Sequence, residues 1–218
     1  MIQEPLYNIW FSPRKILLRY AQKEQEVGEE IKVSSKYKSI REARAVALLL
    51  FGVGKIKNRQ YWLQLVGQKE QTPDIRVATY MSEVNSELRV FDIEVVTLES
   101  HSFEDVDTFL KRTKLSTNKY YPESTIFFCN IDKEIQTKPW LEISREIIKA
   151  GVKNDLYVIG RTDPDKLKYQ LARLNPHFDN IVKFDVMEEA KKDAIDVMRF
   201  YRSSKPTVTK EKLIFEPF

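Results

Sequence analysis

Cysteine and histidine are scarce in this chain: its 218 residues include one cysteine, Cys129, and two histidines, His101 and His177. A single cysteine excludes an internal disulfide and any metal site with several cysteine ligands. It also fits a reducing compartment, so we expect a cytoplasmic protein. The two histidines are far apart in the sequence, which gives no support to a histidine-rich metal site. The carboxylates are therefore the side chains to examine for chemistry.

Long apolar runs are lacking as well, and glycine is sparse. No segment approaches the roughly 20 apolar residues that a membrane helix needs, so we expect no membrane partner. Residues 1–5 lack the basic and then apolar order of a secretory signal. Gly52 and Gly54, two of the six glycines, precede no Lys-Ser or Lys-Thr pair. That context is wrong for a nucleotide-binding phosphate loop.

The positive charge is concentrated near the N-terminus. Residues 1–60 hold 12 Lys and Arg against 6 Asp and Glu, whereas the rest of the chain holds 24 against 26. A basic N-terminal third suits a polyanion such as nucleic acid, although a solvated surface is the alternative. Lys55, Lys57 and Arg59 form a basic linker in this part and are candidate nucleic-acid-binding residues.

The pattern of the chain predicts a helix followed by three consecutive strands. Ser39 is a good N-cap and Glu42 completes a capping box, so we expect a helix over 39–51, which Gly52 and Gly54 end. Strands are predicted over 61–66, 74–80 and 88–98. The polar turns between these strands are short, which favours an antiparallel meander.

The remainder of the chain alternates between helical and extended patterns. We expect an α/β protein with a mixed sheet flanked by helices, because alternation favours parallel strands covered by helices. Residues 39–202 form the predicted single domain, between an irregular N-terminal arm over 1–38 and an extended C-terminal tail over 203–218. The predicted elements after the meander are a helix over 102–114, a strand over 125–131, a helix over 140–150, a strand over 155–160, a helix over 163–174, a strand over 181–186 and a helix over 187–201.

Two carboxylates lie in the middle of the most apolar predicted strand. Side chains alternate along a strand, so Asp92 and Glu94 point to one side. An unpaired buried charge destabilises a fold by several kcal/mol or shifts its pKa until it is neutral. A chain that keeps such a pair usually supplies it with a cation, a basic side chain or a substrate. Asp74, after Pro73 at the start of the second strand, is a third carboxylate.

The order of helix, three-strand meander, helix and strand over residues 39–131 resembles the PD-(D/E)XK nuclease superfamily, which has the restriction-endonuclease-like fold. Pro73 and Asp74 match the Pro-Asp element of that family, and Glu94 matches its next acid. Glu42 matches the acid often found on the first helix. The resemblance implies Mg²⁺ or Mn²⁺ bound by Asp74 and Glu94, with Glu42 and Asp92 assisting, and DNA as the partner.

The chain departs from that family at one position. The family has a lysine two residues after the acid, and this chain has Val96 there. Lys69 is the candidate to supply the missing catalytic amine, and Lys55 or Lys57 are further candidates. Nucleases of this kind often dimerise to cut two strands, so the resemblance also implies a homodimer or another protein partner.

Each of these carboxylates also has a purely structural interpretation. Glu42 can serve only as a capping acid, Asp74 only as a turn residue, and Asp92 and Glu94 can face water or pair with Arg76 and Arg89. Three functions therefore stay open. They are a metal-dependent nuclease-like protein acting on DNA phosphodiesters, a non-catalytic relative that binds nucleic acid or protein, and an unrelated α/β domain that binds a small ligand.

Overall fold

A computed structural model describes residues 7–65, 75–80, 88–98, 105–112, 126–131, 139–163, 167–193, 196–201 and 213–214. Within these residues the protein is mixed α/β, with helices packed on both faces of a sheet. The elements in chain order are β1 (Tyr7–Phe11), α1 (Pro13–Val27), α2 (Glu30–Val33), a 3₁₀ turn (Ser35–Tyr37), α3 (Lys38–Lys57), β2 (Tyr61–Leu65), β3 (Ile75–Tyr80), β4 (Leu88–Leu98), α4 (Val106–Leu110), β5 (Ile126–Ile131), α5 (Trp140–Lys149), β6 (Leu156–Asp163), β7 (Lys168–Asn175), β8 (Asp179–Asp185), α6 (Val186–Ala190), β9 (Val197–Tyr201) and β10 (Leu213–Ile214).

The described strands form one mixed sheet in the order β10-β9-β1-β2-β3-β4-β5-β6-β7-β8. The predicted meander is confirmed, because β2, β3 and β4 pair antiparallel with their neighbours. The strands β4, β5 and β6 are parallel, as their alternation with helices predicts. All other neighbouring strands pair antiparallel.

Two apolar clusters cover the two faces of this sheet. The α3-side cluster joins buried residues of α3, such as Val46 and Leu50, to Ile75, Ile93 and other side chains of the sheet. The α5-side cluster joins Ile143 and Ile147 of α5 to Leu98, Leu156 and further residues on the opposite face. Residues that alternate along β4 therefore contribute to opposite clusters, as the period of a strand requires.

The prediction of an irregular N-terminal arm over 1–38 is wrong for the described residues of that segment. The strand β1 lies inside the sheet between β9 and β2. Ser12 caps α1 by accepting a hydrogen bond from the Lys15 amide, and Pro13 occupies the first turn. Both are ordinary helix-start signals. The polar sequence of α1 conceals the helix, since few of its residues are buried.

The helix α3 is longer at both ends than the prediction over 39–51. Its N-cap is Tyr37, with no side-chain cap, and Asn58 ends it in the left-handed conformation with φ of 49°. The predicted stop at Gly52 is wrong, because Gly52 lies within the helix. A Cβ there would stand 2.7 Å from Leu171 Cδ2 and 2.9 Å from Phe184 Cε1. The glycine lets α3 lie close to β7 and β8.

Two of the later helix predictions are wrong. The segment predicted as a helix over 163–174 contains β7, whose Tyr169 and Leu171 join the α3-side cluster while Ala172 and Leu174 join the α5-side cluster. Both faces of β7 are covered, so its sequence lacks the alternation of apolar and polar residues that signals a half-buried strand. The helix predicted over 187–201 ends at Ala190 as α6, and β9 follows it.

The helix and strand predictions between β4 and β6 agree with the structure where it describes them. The helices α4 and α5 and the strand β5 lie in the predicted segments, and β6 begins in the strand predicted over 155–160 but continues to Asp163. β8 matches the strand predicted over 181–186, and β10 lies in the predicted tail, where it pairs with β9. Among the described residues, no helix combines the length and the apolar character that crossing a bilayer requires.

Candidate functional site

Glu94 lies in the middle of β4 and is only 2% exposed, which is rare for a glutamate. Its neighbours Ile93 and Val95 belong to the α3-side cluster. Glu94 therefore points to the opposite face of the sheet, as does Val96, which packs against the α5-side cluster. The Glu94 Oε1 atom accepts no hydrogen bond from the described residues, although the residue takes part in another interaction. The prediction that Asp92 and Glu94 point to one side of the strand agrees with this alternation.

Asp92 lies on the same face as Glu94, closer to solvent. It stands opposite Arg76 of β3 in the strand register, and its Oδ1 atom is 3.6 Å from Arg76 Nε. Both side chains are about two-fifths exposed, at 39% and 41%. A pair this exposed contributes little to stability. The pair agrees with the structural interpretation of Asp92, in which this carboxylate pairs with Arg76. It also places the Arg76 guanidinium group on the face of the sheet that carries Glu94.

Glu42 lies on the other side of the sheet from Glu94. It belongs to α3, and its Oε1 atom is 3.3 Å from Lys38 Nζ one helical turn earlier. The helix packs on the face of Ile93 rather than the face of Glu94. Within the described ranges, no group of three or more Asp, Glu, His or Cys side chains is arranged to hold a metal ion. Glu42, Asp92 and Glu94 thus do not form such a group by themselves.

Asp74 and Lys69 lie outside the residues that the structure describes. The neighbour of Asp74 in sequence, Ile75, is the first residue of β3 and pairs with Ile93 of β4. Ile93 in turn immediately precedes Glu94. The sequence neighbours of the two predicted metal ligands, Ile75 beside Asp74 and Ile93 beside Glu94, are therefore paired across β3 and β4.

The prediction of a basic linker is wrong for two of its three residues, since Lys55 and Lys57 belong to α3; all three residues lie at the opposite end of β2 from that register pair. Lys55 Nζ donates a hydrogen bond of 3.0 Å to the Lys183 carbonyl and is 3.8 Å from Glu189 Oε1. Arg59 follows the end of α3, and Lys57 is exposed in the last turn. Lys55 and Arg59, but not Lys57, line a cavity of about 220 Å³.

A second polar cluster, which the sequence analysis missed, ties the start of α1 to the segment before β9. Arg14 Nε and Ser12 Oγ donate to Asp196 Oδ1 at 2.9 and 2.8 Å. The Arg14 backbone amide donates to Asp193 Oδ2 at 3.0 Å. Ser12 followed by Pro13 signals a helix start, but no local pattern indicates that its acidic partners lie some 180 positions later in the chain.

The two aspartates of this cluster have opposite pKa shifts. Burial raises the pKa of Asp193 from 3.8 to about 6, although the Arg14 amide and charge act in the other direction. Burial also opposes ionisation of Asp196, but the hydrogen bonds from Arg14 and Ser12 outweigh it and lower the pKa of that group. The charged form is therefore favoured at Asp196 and disfavoured at Asp193.

Comparisons of the chain with protein-family models, curated proteins and solved structures find no match.

Proposed function

We propose that this chain is a metal-dependent, nuclease-like protein that acts on DNA phosphodiesters, with Mg²⁺ or Mn²⁺ held by Asp74 and Glu94. The observation that carries the proposal is the position of Glu94. It is a carboxylate with 2% exposure in the central strand of a mixed sheet, on the face away from α3. A fold that keeps an acid in such a position usually supplies it with a cation, a basic side chain or a substrate, and the proposal takes the cation.

The strand register supports Asp74 as the second ligand. Ile75 and Ile93 are directly opposite each other, and Asp74 and Glu94 are their adjoining residues in sequence. Residues that stand opposite each other in an antiparallel pair share a face of the sheet, and a pairing of Asp74 with Glu94 is what the proposed shared cation requires.

The order of elements supports the same proposal. The helix α3, the antiparallel strands β2, β3 and β4, the helix α4 and the parallel strand β5 follow one another as the resemblance to the restriction-endonuclease-like fold implies. The basic N-terminal third, with 12 Lys and Arg against 6 Asp and Glu, suits a DNA partner.

A bound divalent cation would polarise the phosphate and lower the pKa of an attacking water. Among the described residues, Arg76 lies on the face of Glu94, beside Asp92. A guanidinium stays protonated at neutral pH and cannot accept a proton. Arg76 can therefore stabilise negative charge on a phosphate, but it cannot replace a lysine that activates water. Lys69 remains the proposed source of that amine.

A second candidate function is a non-catalytic relative that binds DNA or a protein partner through the same scaffold. The observation in its favour is Val96, which occupies the expected lysine position and packs against the α5-side cluster. That position is filled by apolar packing, and Arg76 is paired with Asp92. Both features agree with a domain that has kept the acidic residues of the family but has no catalytic activity.

Plasmid cleavage with Mg²⁺ or Mn²⁺ tests the catalytic proposal. We expect nicking by the wild type, which Glu94→Gln and Asp74→Ala each reduce at least about a hundredfold, as expected for the loss of a group that acts in the transition state. Glu142→Gln, an exposed carboxylate of α5, is the matched control and should cut like the wild type. Cleavage that survives in both site variants would refute the proposal.

Substitution of Val96 by lysine separates the two candidate functions. Val96→Lys restores the family pattern on the face that carries Glu94. If the domain binds metal and DNA but lacks only the amine, the variant should cut faster than an inactive wild type. Salt-sensitive DNA binding without cleavage, in both wild type and Val96→Lys, would favour the non-catalytic relative.

A further inference from the structure

A cavity of about 220 Å³ opens where the end of α3 meets the start of β2 and α6. Three cationic side chains line it, those of Lys55, Arg59 and Lys192, together with the carboxylates of Glu189 and Asp193. The lining thus carries a formal charge of +1. Leu50, Phe51 and Tyr61 contribute apolar surface to the same wall.

A buried acid lies beside both lysines. Glu189 is 6% exposed, and its Oε2 atom is 2.6 Å from Lys192 Nζ while its Oε1 atom is 3.8 Å from Lys55 Nζ. Lys55 Nζ also donates a hydrogen bond to the Lys183 carbonyl. An ammonium group has three donors, so both lysines keep donors for a ligand.

The backbone brings Arg59 to the same cavity. Asn58 ends α3 in the left-handed conformation, and the Arg59 amide donates to the Gly54 carbonyl at 3.2 Å. A Cβ on Gly54 would lie 2.9 Å from the Arg59 carbonyl oxygen, so the tight turn depends on this glycine. An arginine presents paired donors that match a phosphate group, and a lysine adds a compact positive charge.

We propose that this cavity binds the phosphate group of a phosphate-bearing ligand, held by Lys55, Arg59 and Lys192. The apolar wall then contacts the organic part of the ligand. The phosphate can belong to a small phosphate ester or to the terminal phosphate of a nucleic-acid strand. The site lies at the Tyr61 end of β2, whereas Ile75 pairs with Leu65 at the other end. Four residues of strand separate the two ends by about 13 Å, so this site is distinct from the proposed metal site.

The test is an NMR titration of the ¹⁵N-labelled chain with inorganic phosphate. We expect saturable shifts at the backbone amides of residues 54 and 58–60. Arg59→Gln should weaken phosphate binding about tenfold, the usual effect of removing one charge-assisted hydrogen bond. Arg59→Gln and Lys192→Gln together should abolish saturation. Lys191→Gln is the matched control, because Lys191 is exposed, adjacent to Lys192 and absent from the lining.

Two further measurements sharpen the test. Asp193→Asn removes one negative charge from the lining and should tighten phosphate binding roughly threefold. The source of the phosphate group is identified by comparing the binding of a 5′-phosphorylated thymidine dinucleotide with that of its unphosphorylated form. A preference for the phosphorylated form supports a strand end, whereas binding of inorganic phosphate alone supports a small ligand. The absence of saturable shifts with either probe at millimolar concentration, or equal weakening by Lys191→Gln, would overturn the proposal.

Discussion

Asp193 gives a stability prediction whose sign depends on pH. In the unfolded chain its carboxyl group ionises near 3.8, and burial raises the pKa to about 6 in the folded protein. Between these values the folded state holds the proton more tightly than the unfolded state. The contribution of Asp193 to stability is therefore fully present below about pH 4 and is lost as the pH rises through about 6.

The size of the effect follows from the pKa change. A tenfold change in proton affinity corresponds to about 1.4 kcal/mol, so the rise from 3.8 to about 6 sets a ceiling of about 3 kcal/mol. The carboxylate accepts a hydrogen bond from the Arg14 amide and keeps 9% of its surface in water. Screening by that water lowers the expected effect to about 1–2 kcal/mol.

Asp193→Asn removes the ionisation but keeps an oxygen that can accept from the Arg14 amide. We expect the variant to be more stable than the wild type by about 1–2 kcal/mol at pH 7.5, and the advantage to vanish near pH 3, below both pKa values. Urea unfolding followed by circular dichroism at both pH values measures the difference. An advantage that does not change with pH would refute the reasoning.

Asp196→Asn is the informative control for this prediction. The pKa of Asp196 is lowered because Arg14 and Ser12 donate to its charged form, in spite of burial. Its contribution to stability is present above the usual carboxyl range and is lost as the pH falls. We therefore expect Asp196→Asn to destabilise the protein most at pH 7.5. The two neighbouring substitutions should thus have opposite signs in the same buffer.

Two more substitutions test the packing of the fold. Gly52→Ala should destabilise the protein by about 1–3 kcal/mol, since the new methyl group would overlap side chains of β7 and β8. Thermal unfolding measures the change. Gly160→Ala is the control, because nothing lies within 4 Å of the added Cβ at that position. Ser144→Ala should lower the free energy of unfolding by about 1–2 kcal/mol, because the buried Ser144 Oγ donates to the Leu174 carbonyl at 2.6 Å and that acceptor would lose its partner. Equal unfolding midpoints for variant and wild type would contradict either prediction.

The meander and the parallel strands after it could be predicted from sequence because their signals are local. The strands β2, β3 and β4 are apolar runs separated by polar sequence, and β5 and β6 are apolar runs that follow the helices α4 and α5. The strand β9 could not be predicted in this way. Its pairing with β1 joins Phe11 to Val197 across almost the whole chain, and the periodicity of a short segment carries no information about such a partner.

The candidate site was predictable to a similar extent. Alternation along an apolar strand predicted that Asp92 and Glu94 share one side, but not that Glu94 is 2% exposed while Asp92 is 39% exposed beside Arg76. The face that Glu42 occupies was not predictable, because the side of the sheet on which α3 packs is a tertiary property. The contacts of Lys55 with Glu189 and Lys183 are equally non-local, so sequence spacing alone could not assign the basic linker to a cavity.

Direct measurement of Mn²⁺ binding tests the central claim more closely than any activity assay, because it does not require the correct DNA substrate. We would titrate Mn²⁺ into the wild type, Glu94→Gln and Glu142→Gln by calorimetry, after verifying by circular dichroism that all three are folded. The account predicts that the wild type and Glu142→Gln bind Mn²⁺ alike and that Glu94→Gln binds at least about tenfold more weakly, since it loses a charged ligand. A folded wild type that binds no Mn²⁺, or a Glu94→Gln variant that binds it as the wild type does, would contradict the proposed metal site.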